Sequence, residues 1–184
     1  MLNNQKNRIY IGDLPLGITE DIILNQLLEG YEGVTKIEII KKKYEAFCFV
    51  TFSSDENIKK IIDELSYVTF DWKPCRIVSA DDETLEIIRR RVGNVIIWGL
   101  DELISVQSIH EAFSNYGDVI CCKIRMVYRN GEWVSKGYGY IQFRHLENAK
   151  KAIQELHNAS INDKPIHMCE SIHKCKEFLE FKNR

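Results

Sequence analysis

The chain lacks any long hydrophobic run. No apolar stretch reaches the ~18 residues that a membrane-spanning helix needs, so we expect no such helix. Residues 1–8 are polar and do not resemble a secretory signal. Hydrophobic residues nevertheless make up 45% of the 184-residue chain, which is enough to form the core of one domain or of two small ones.

Paired cysteines are also missing. Six cysteines occur without a CxxC pair, and several lie within apolar, strand-like runs. This pattern favours free, buried thiols in a reducing compartment over disulfides. One cluster, His167, Cys169, His173 and Cys175, contains residue types that bind metals. Its spacing does not follow the usual zinc patterns, so we interpret it as a strand end followed by a tail, with no metal and no cofactor.

A positive net charge, which is common among nucleic-acid-binding proteins, is absent. The formal net charge is −2. Residues 1–79 contain 10 basic and 12 acidic side chains, and residues 94–184 contain 12 and 11. Neither half therefore has a strong positive field, and any affinity for nucleic acid has to rest on stacking and local contacts.

Catalytic motifs are not found either. The sequence shows no nucleophile paired with a base, no phosphate-binding loop and no carboxylate pair at a plausible site. We therefore expect a binding protein rather than an enzyme.

The sequence does contain an internal repeat. "IYIGDL" (9–14) recurs as "VIIWGL" (95–100), 86 residues later. "AFCFVTF" (46–52) recurs as "GYGYIQF" (137–143), and "KPCRIV" (73–78) as "KPIHMC" (164–169), both 91 residues later. Such constant offsets indicate a duplicated domain. We place the first domain at 1–79, a linker at 80–93, the second domain at 94–170 and a tail that can form a short helix at 171–184.

Each copy is predicted to have the order strand, helix, strand, strand, helix, strand. The two helices of the first copy can be capped by Thr19 and Ser54. The expected strands lie at 8–14, 34–40, 46–52 and 75–78, and at 95–100, 119–128, 137–143 and 165–169, with a loop at 129–135. This α+β, ferredoxin-like βαββαβ order gives a four-stranded antiparallel sheet backed by two helices, with the other face open.

Strand alternation places aromatic side chains on both open faces. Tyr10, Phe47 and Phe49 of the first copy point away from the helices, as do Tyr138 and Tyr140 of the second. Exposed rings on a sheet are typical of a platform on which unpaired bases stack. The structural alternative is that a tail helix or a protein partner covers them.

"SKGYGYIQF" (135–143) nearly matches the octapeptide of RNA-recognition motifs. We expect Lys136 to reach a phosphate, and we include the neighbouring Gln142 and Arg125 among the predicted RNA contacts. Nearly the whole chain resembles the first two RNA-recognition motifs of cytoplasmic poly(A)-binding proteins. The resemblance lies in this octapeptide and in "IYIGDLP" (9–15), "KPCRIV" (73–78), "RVGNVIIWGLD" (91–101) and "FSNYGDVICCKI" (113–124).

This resemblance implies binding of adenine-rich single-stranded RNA in a trough shared by the two sheets. It also implies a cytoplasmic location, with nuclear presence left open, and a translation-initiation scaffold bound to the helical back of the second domain. By position, the implied RNA contacts are Tyr10, Asp13, Phe47, Phe49, Asn94, Ile96, Trp98, Lys123, Lys136, Tyr138 and Tyr140.

Some residues depart from the family pattern. Glu38 and Glu45 are expected to repel phosphate at the first sheet, so we predict that the second sheet binds RNA more strongly. Ile96 replaces an aromatic ring, and Trp98 either supplies the stacking or packs against the linker or a loop. In the linker, Ser79–Asp81 replace residues that grip adenine in the family. Two other functions stay open: a spliceosomal tandem subunit, and a protein-interaction adaptor with weakened RNA binding.

Overall fold

The computed structural model describes residues 6–66, 68–70, 73–171 and 175–183. The chain divides into two compact units, Met1–Glu86 and Ile87–Arg184. Each unit has its own four-stranded sheet and its own hydrophobic core.

The first unit follows the predicted element order. Its elements are β1 (Arg8–Leu14), α1 (Glu20–Ile22) with a π-helical continuation (Ile23–Leu27), β2 (Val34–Lys41), β3 (Ala46–Phe52), α2 (Ile58–Leu65), β4 (Thr69–Phe70), β5 (Lys73–Pro74) and β6 (Arg76–Ser79). The strand order is β2-β3-β1-β6, and neighbouring strands are antiparallel. Thr19 caps α1 as predicted, since its side chain accepts a hydrogen bond from the Ile22 N–H.

The second unit repeats this arrangement. Helix α3 (Asp82–Arg90) spans the boundary between the units, and β7 (Asn94–Trp98), α4 (Val106–Ser114), β8 (Val119–Arg129), β9 (Glu132–Phe143), α5 (Leu146–Leu156), β10 (Ser160–Ile161), β11 (Lys164–Pro165), β12 (His167–Glu170) and α6 (Lys176–Lys182) follow. The sheet order is β12-β7-β9-β8, again antiparallel. The predicted α+β, ferredoxin-like fold is therefore confirmed for both copies.

The prediction of a loop at 129–135 is wrong, because β8 and β9 extend into these residues and pair as a long hairpin. Asn130 and Gly131 form its two-residue turn with φ values of 52° and 89°. Such a turn fits the twist of paired strands. Tyr128 and Trp133 then lie opposite each other, with ring centroids 5.4 Å apart.

A second difference concerns the face of the second sheet, which was expected to be open. Ile97 packs into the core beneath α4 and α5, whereas Ile96 and Trp98 belong to a separate cluster on the other face. Phe178 of α6 lies in that cluster with only 2% of its surface exposed. The tail helix therefore covers this sheet.

Candidate nucleic-acid interface

Three aromatic side chains in mutual contact occupy the outer face of the first sheet: Tyr10, Phe47 and Phe49, here called the aromatic triad. Their ring centroids are 5.6 Å apart for both pairs that include Tyr10 and 6.1 Å apart for Phe47 and Phe49. All three side chains are half-buried. The alternating Ile11 and Cys48 are fully buried on the helix side, so the triad faces away from the helices, as the alternation predicts.

The ring of Tyr10 lies over the backbone of Gly12. A β-carbon at Gly12 would come within 2.7 Å of both Cε1 and the hydroxyl oxygen of Tyr10. Only glycine leaves room for the ring at this place. Burial raises the pKa of the Tyr10 hydroxyl, although the nearby Arg76 opposes the change. The hydroxyl therefore stays protonated at neutral pH and can donate a hydrogen bond.

A basic side chain stands over each ring of the triad. The distances from cation to ring centroid are 4.1 Å for Arg8 over Phe49, 5.1 Å for Lys42 over Phe47 and 5.7 Å for Arg76 over Tyr10. These distances allow cation–π attraction. A cation beside a stacking ring is also well placed for the phosphate of a stacked nucleotide.

These three basic residues were not predicted from the sequence. Arg8 could have been found, because it precedes Tyr10 by two residues and so shares its face. Arg76 could not, because its position depends on the pairing of β6 with β1, which places it opposite Gly12.

The two carboxylates expected to repel phosphate are paired with cations. Glu38 lies 2.5 Å from the Arg8 guanidinium and 2.9 Å from the Lys36 amine. Glu45 lies 3.6 Å from the Lys42 amine. The hydrogen bond from Lys36 is the main reason why the pKa of Glu38 is lowered. Such exposed pairs add little stability, but they offset the negative charge beside the triad.

Asp13 lies at the edge of the triad in a backbone conformation that is rare for a side-chain-bearing residue, with φ of 62°. The pairing of β1 with β3 shifts between Ile11 and Leu14, and this irregularity carries Asp13 away from the regular alternation. Its carboxylate lies 3.6 Å from the Arg76 guanidinium. Asp13 therefore belongs to the same polar edge as the cation over Tyr10.

The predicted stacking residues of the second sheet lie beneath α6. Tyr138 and Trp98 are each only 4% exposed. The ring of Phe178 lies 5.3 Å from that of Tyr138 and 5.6 Å from that of Trp98. Ile96, at 1% exposure, packs in the same cluster. The expectation of an open second platform is corrected: a short amphipathic helix from the tail fills the position expected for bases.

The other predicted contacts of the second unit lie around this cover. Tyr140 is half-buried. Burial is the main cause that raises the pKa of its hydroxyl, and the nearby positive charges of Arg125 and Arg91 only partly oppose this change. Arg125 and Lys136 are exposed, and Lys123 is half-buried. The positive charges of Arg125 and Lys136 are therefore accessible to solvent. Their contact with RNA stays a prediction.

Gln142 was predicted to contact RNA, but its amide is engaged with the backbone. The side chain is 4% exposed, and its Nε2 donates to the carbonyl oxygens of Ile87, at 2.9 Å, and Val92, at 3.0 Å. These carbonyls belong to the C-terminal end of α3 and the turn after it. Asn94, also predicted to contact RNA, lies opposite Gln142 in the strand register. Gln142 therefore fixes the end of α3 on the second sheet.

The described residues contain neither a metal-binding cluster nor a membrane-spanning helix. No group of three His, Cys, Asp or Glu side chains there could hold a metal ion, and His173 of the sequence cluster lies outside those residues. No helix in the described ranges is long and apolar enough to cross a bilayer.

The RNA recognition motif family matches this chain twice, at residues 9–76 and 95–167. The chain therefore belongs to that family: it is a tandem RNA-recognition-motif protein, and its two motifs support binding of single-stranded RNA. Its sheet geometry, with the aromatic triad on the face opposite the helices, agrees with this class.

Within the family, the chain resembles polyadenylate-binding proteins across both motifs. It is 28% identical to polyadenylate-binding protein 2 of Arabidopsis thaliana, over 87% of this chain and 25% of that protein. It is 29% identical to a cytoplasmic and nuclear polyadenylate-binding protein of Chaetomium globosum, over 87% of this chain and 20% of that protein. The chain thus spans a fifth to a quarter of the length of these relatives.

Among solved structures, the chain is similar to that of the Sxl-lethal protein in complex with RNA. The TM-score is 0.52 at 18% sequence identity, covering 90% of this chain and 99% of that one. At this identity the similarity concerns the fold alone.

Proposed function

We propose that this chain binds adenine-rich single-stranded RNA and that the aromatic triad of the first sheet is its principal stacking platform. The observation that carries this proposal is the contrast between the two sheets. The triad is half-exposed with a cation over each ring, whereas Trp98 and Tyr138 are buried beneath α6. The sequence predicts that the second sheet binds RNA more strongly than the first, and the proposal reverses this order.

The preference for adenine rests on the similarity to polyadenylate-binding proteins. Base stacking by itself tolerates every base, because each base has an aromatic face. Groups at the edge of the triad, the hydroxyl of Tyr10 and the pair of Asp13 with Arg76, are able to bond to the edge of a stacked base. One relative is named cytoplasmic and nuclear, and we propose both locations for this chain.

The proposal is tested by titrating labelled oligo(A), oligo(U) and a mixed strand at one fixed salt concentration. We expect oligo(A) to bind most tightly. Phe47→Ala should cost ~1–3 kcal/mol of binding free energy, the range for loss of one stacked base. Tyr138→Ala should cost less, because its ring is covered.

Tyr31→Ala is a matched control. It removes an aromatic ring from the first unit, but this ring packs against the core and its hydroxyl bonds to Glu64 at 2.6 Å. Equal binding of all three strands would contradict the adenine preference and favour the spliceosomal alternative. A Phe47→Ala variant that binds as tightly as the unmodified chain would contradict the role of the triad. If none of the strands binds, the remaining alternative is that the chain functions as a protein-interaction adaptor.

A protein partner on the helical back of the second unit is a separate proposal, taken from the family resemblance. Leu103, just before α4, is 92% exposed, which is unusual for a large apolar side chain and fits a contact with another protein. Leu103→Asp should weaken binding to a purified translation-initiation scaffold without changing affinity for RNA. Unchanged scaffold binding would remove this surface from consideration.

A further inference from the structure

Two cysteines lie where the tail helix α6 packs against the edge of the second sheet. Cys169 lies in β12, opposite Ile96 of β7, and Cys175 directly precedes the first residue of α6. Both thiols are free, both side chains are half-buried against the cluster that contains Phe178, and both line the same cavity. Both thiols therefore lie at the place where α6 packs on the second sheet.

The cover itself is a short element. Helix α6 has seven residues, and an isolated helix of that length is unstable in water. Its position depends on Phe178, buried against Tyr138 and Trp98, and on Phe181, whose Cζ would lie 3.2 Å from a β-carbon at Gly137. A helix held by two rings can leave the sheet and return, and anything that fixes its first residue shifts this equilibrium.

We propose that Cys169 and Cys175 are a modification site at which a reversible disulfide locks α6 over the RNA-binding face of the second sheet. In the reduced protein, RNA displaces Phe178 and stacks on Tyr138 and Trp98. In the oxidised protein, the helix stays in place and only the first sheet binds. The effect on RNA rests on the proposed function, whereas formation of the disulfide does not.

The oxidant belongs to the class of low-molecular-weight disulfides, such as oxidised glutathione. The Cys175 thiolate attacks one sulfur of the oxidant, which releases one molecule of thiol and forms a mixed disulfide. The Cys169 thiolate then attacks the Cys175 sulfur and releases the second thiol. The two protein thiols lose two electrons and two protons, and the oxidant gains them.

The order of attack follows from the positions of the two thiols. Cys169 lies within the paired strand β12, whereas Cys175 lies at the start of α6. Burial also raises the pKa of the Cys169 thiol, which makes it the poorer first nucleophile.

The disulfide is tested on the full chain in buffers of graded glutathione redox ratio, followed by peptide mapping. We expect a Cys169–Cys175 link, with loss of the mass of two hydrogen atoms, at a lower proportion of oxidised glutathione than any link to Cys121 or Cys122. Those two adjacent cysteines serve as the internal control, and Cys175→Ser should abolish the link. Glutathione adducts without an internal link, or a link between other cysteines, would overturn the proposal.

The lock is tested by hydrogen–deuterium exchange of residues 176–182, which needs no RNA. Exchange should slow when the chain is oxidised and should not change for Cys175→Ser. Equal exchange in the oxidised and reduced chains would overturn the lock even if the disulfide forms. Because neither this readout nor the peptide map involves RNA, they separate failure of the lock from failure of the proposed function.

The effect on RNA is tested in a Phe47→Ala/Phe49→Ala background, which leaves the second sheet as the main site. Phe178→Ala should raise affinity about tenfold, because the uncovered sheet no longer has to be freed by RNA. Leu179→Ala, on the exposed side of the same helix, should have no effect. Oxidation of the chain with Phe178 intact should lower affinity in the same background, and reductant should restore it. Identical affinities in the oxidised and reduced chains would overturn control of RNA binding.

Discussion

At the scale of single residues, Gly12 determines where the Tyr10 ring of the triad can lie. The ring occupies the space of the missing β-carbon at 2.7 Å. The backbone of Gly12 has no positive φ, so an alanine would not strain the main chain there. The substitution therefore acts on the ring position and not on the strand.

Gly12→Ala should move the Tyr10 ring away from its two partners and weaken RNA binding by ~1–3 kcal/mol, as for the loss of one stacking contact. Thermal unfolding should change little. Gly17→Ala is the control, because nothing lies within 4 Å of a β-carbon at Gly17. A Gly12→Ala variant with unchanged RNA affinity would show that the orientation of Tyr10 is irrelevant to binding.

The direction of the triad could be predicted from the two-residue period of the strands, since alternation alone assigns Tyr10, Phe47 and Phe49 to one face. The charges around the triad could not. Glu38 and Glu45 looked repulsive in the sequence, but strand pairing brings Arg8 to Glu38, and the turn between β2 and β3 brings Lys42 to Glu45. Ion pairs between distant positions depend on register, which one sequence does not state.

At the scale of elements, helix α3 shows how a residue predicted to bind RNA can have a structural role. Arg91 follows the helix with φ of 56°, a typical helix end. The carbonyl oxygens of Ile87 and Val92 accept hydrogen bonds from the buried Gln142 amide. The linker is thereby attached to the second sheet at its C-terminal end.

Gln142→Leu should lower the free energy of unfolding of the second unit by about 1–3 kcal/mol, since it removes both hydrogen bonds that the buried amide donates to carbonyl oxygens. Chemical denaturation followed by circular dichroism measures this loss. Gln107→Leu is the control, because Gln107 is exposed and bonds only to Glu111 among the contacts described. Equal stability of the two variants would show that Gln142 does not hold the helix.

Helix α6 is the element that sequence reasoning placed least well. Its apolar residues predicted a short helix, but the pattern did not decide whether this helix packs on the second sheet. The choice depends on the shape of the second sheet, where Gly137 leaves space for the ring of Phe181. As a consequence, α6 covers Tyr138 of the octapeptide.

At the scale of the whole molecule, charge limits how RNA is held. The net charge is −2, and two of the three cations over the triad also pair with Glu38 or Glu45. Stacking therefore has to supply most of the affinity.

The salt dependence of RNA binding should accordingly be shallow. With about three phosphates contacted, the slope of log K against log salt concentration should be about −2. Arg76→Ala should reduce the slope by about 0.7, and Lys59→Ala, exposed on α2, should leave it unchanged. Titrations across a range of salt concentrations measure both. A slope much steeper than that would mean that phosphate neutralisation, and not stacking, dominates.

The sequence by itself determined the duplicated α+β fold and the family, because hydrophobic period, turn residues and the octapeptide are local properties that recur in both copies. It also determined which rings leave the core. Tertiary structure alone decided which of those rings are accessible. Access depends on what packs over a sheet, and Phe178 reaches Tyr138 from about forty residues away in the chain. The sheet with the better motif is the covered one, and the sheet with the less orthodox motif keeps its three rings half-exposed.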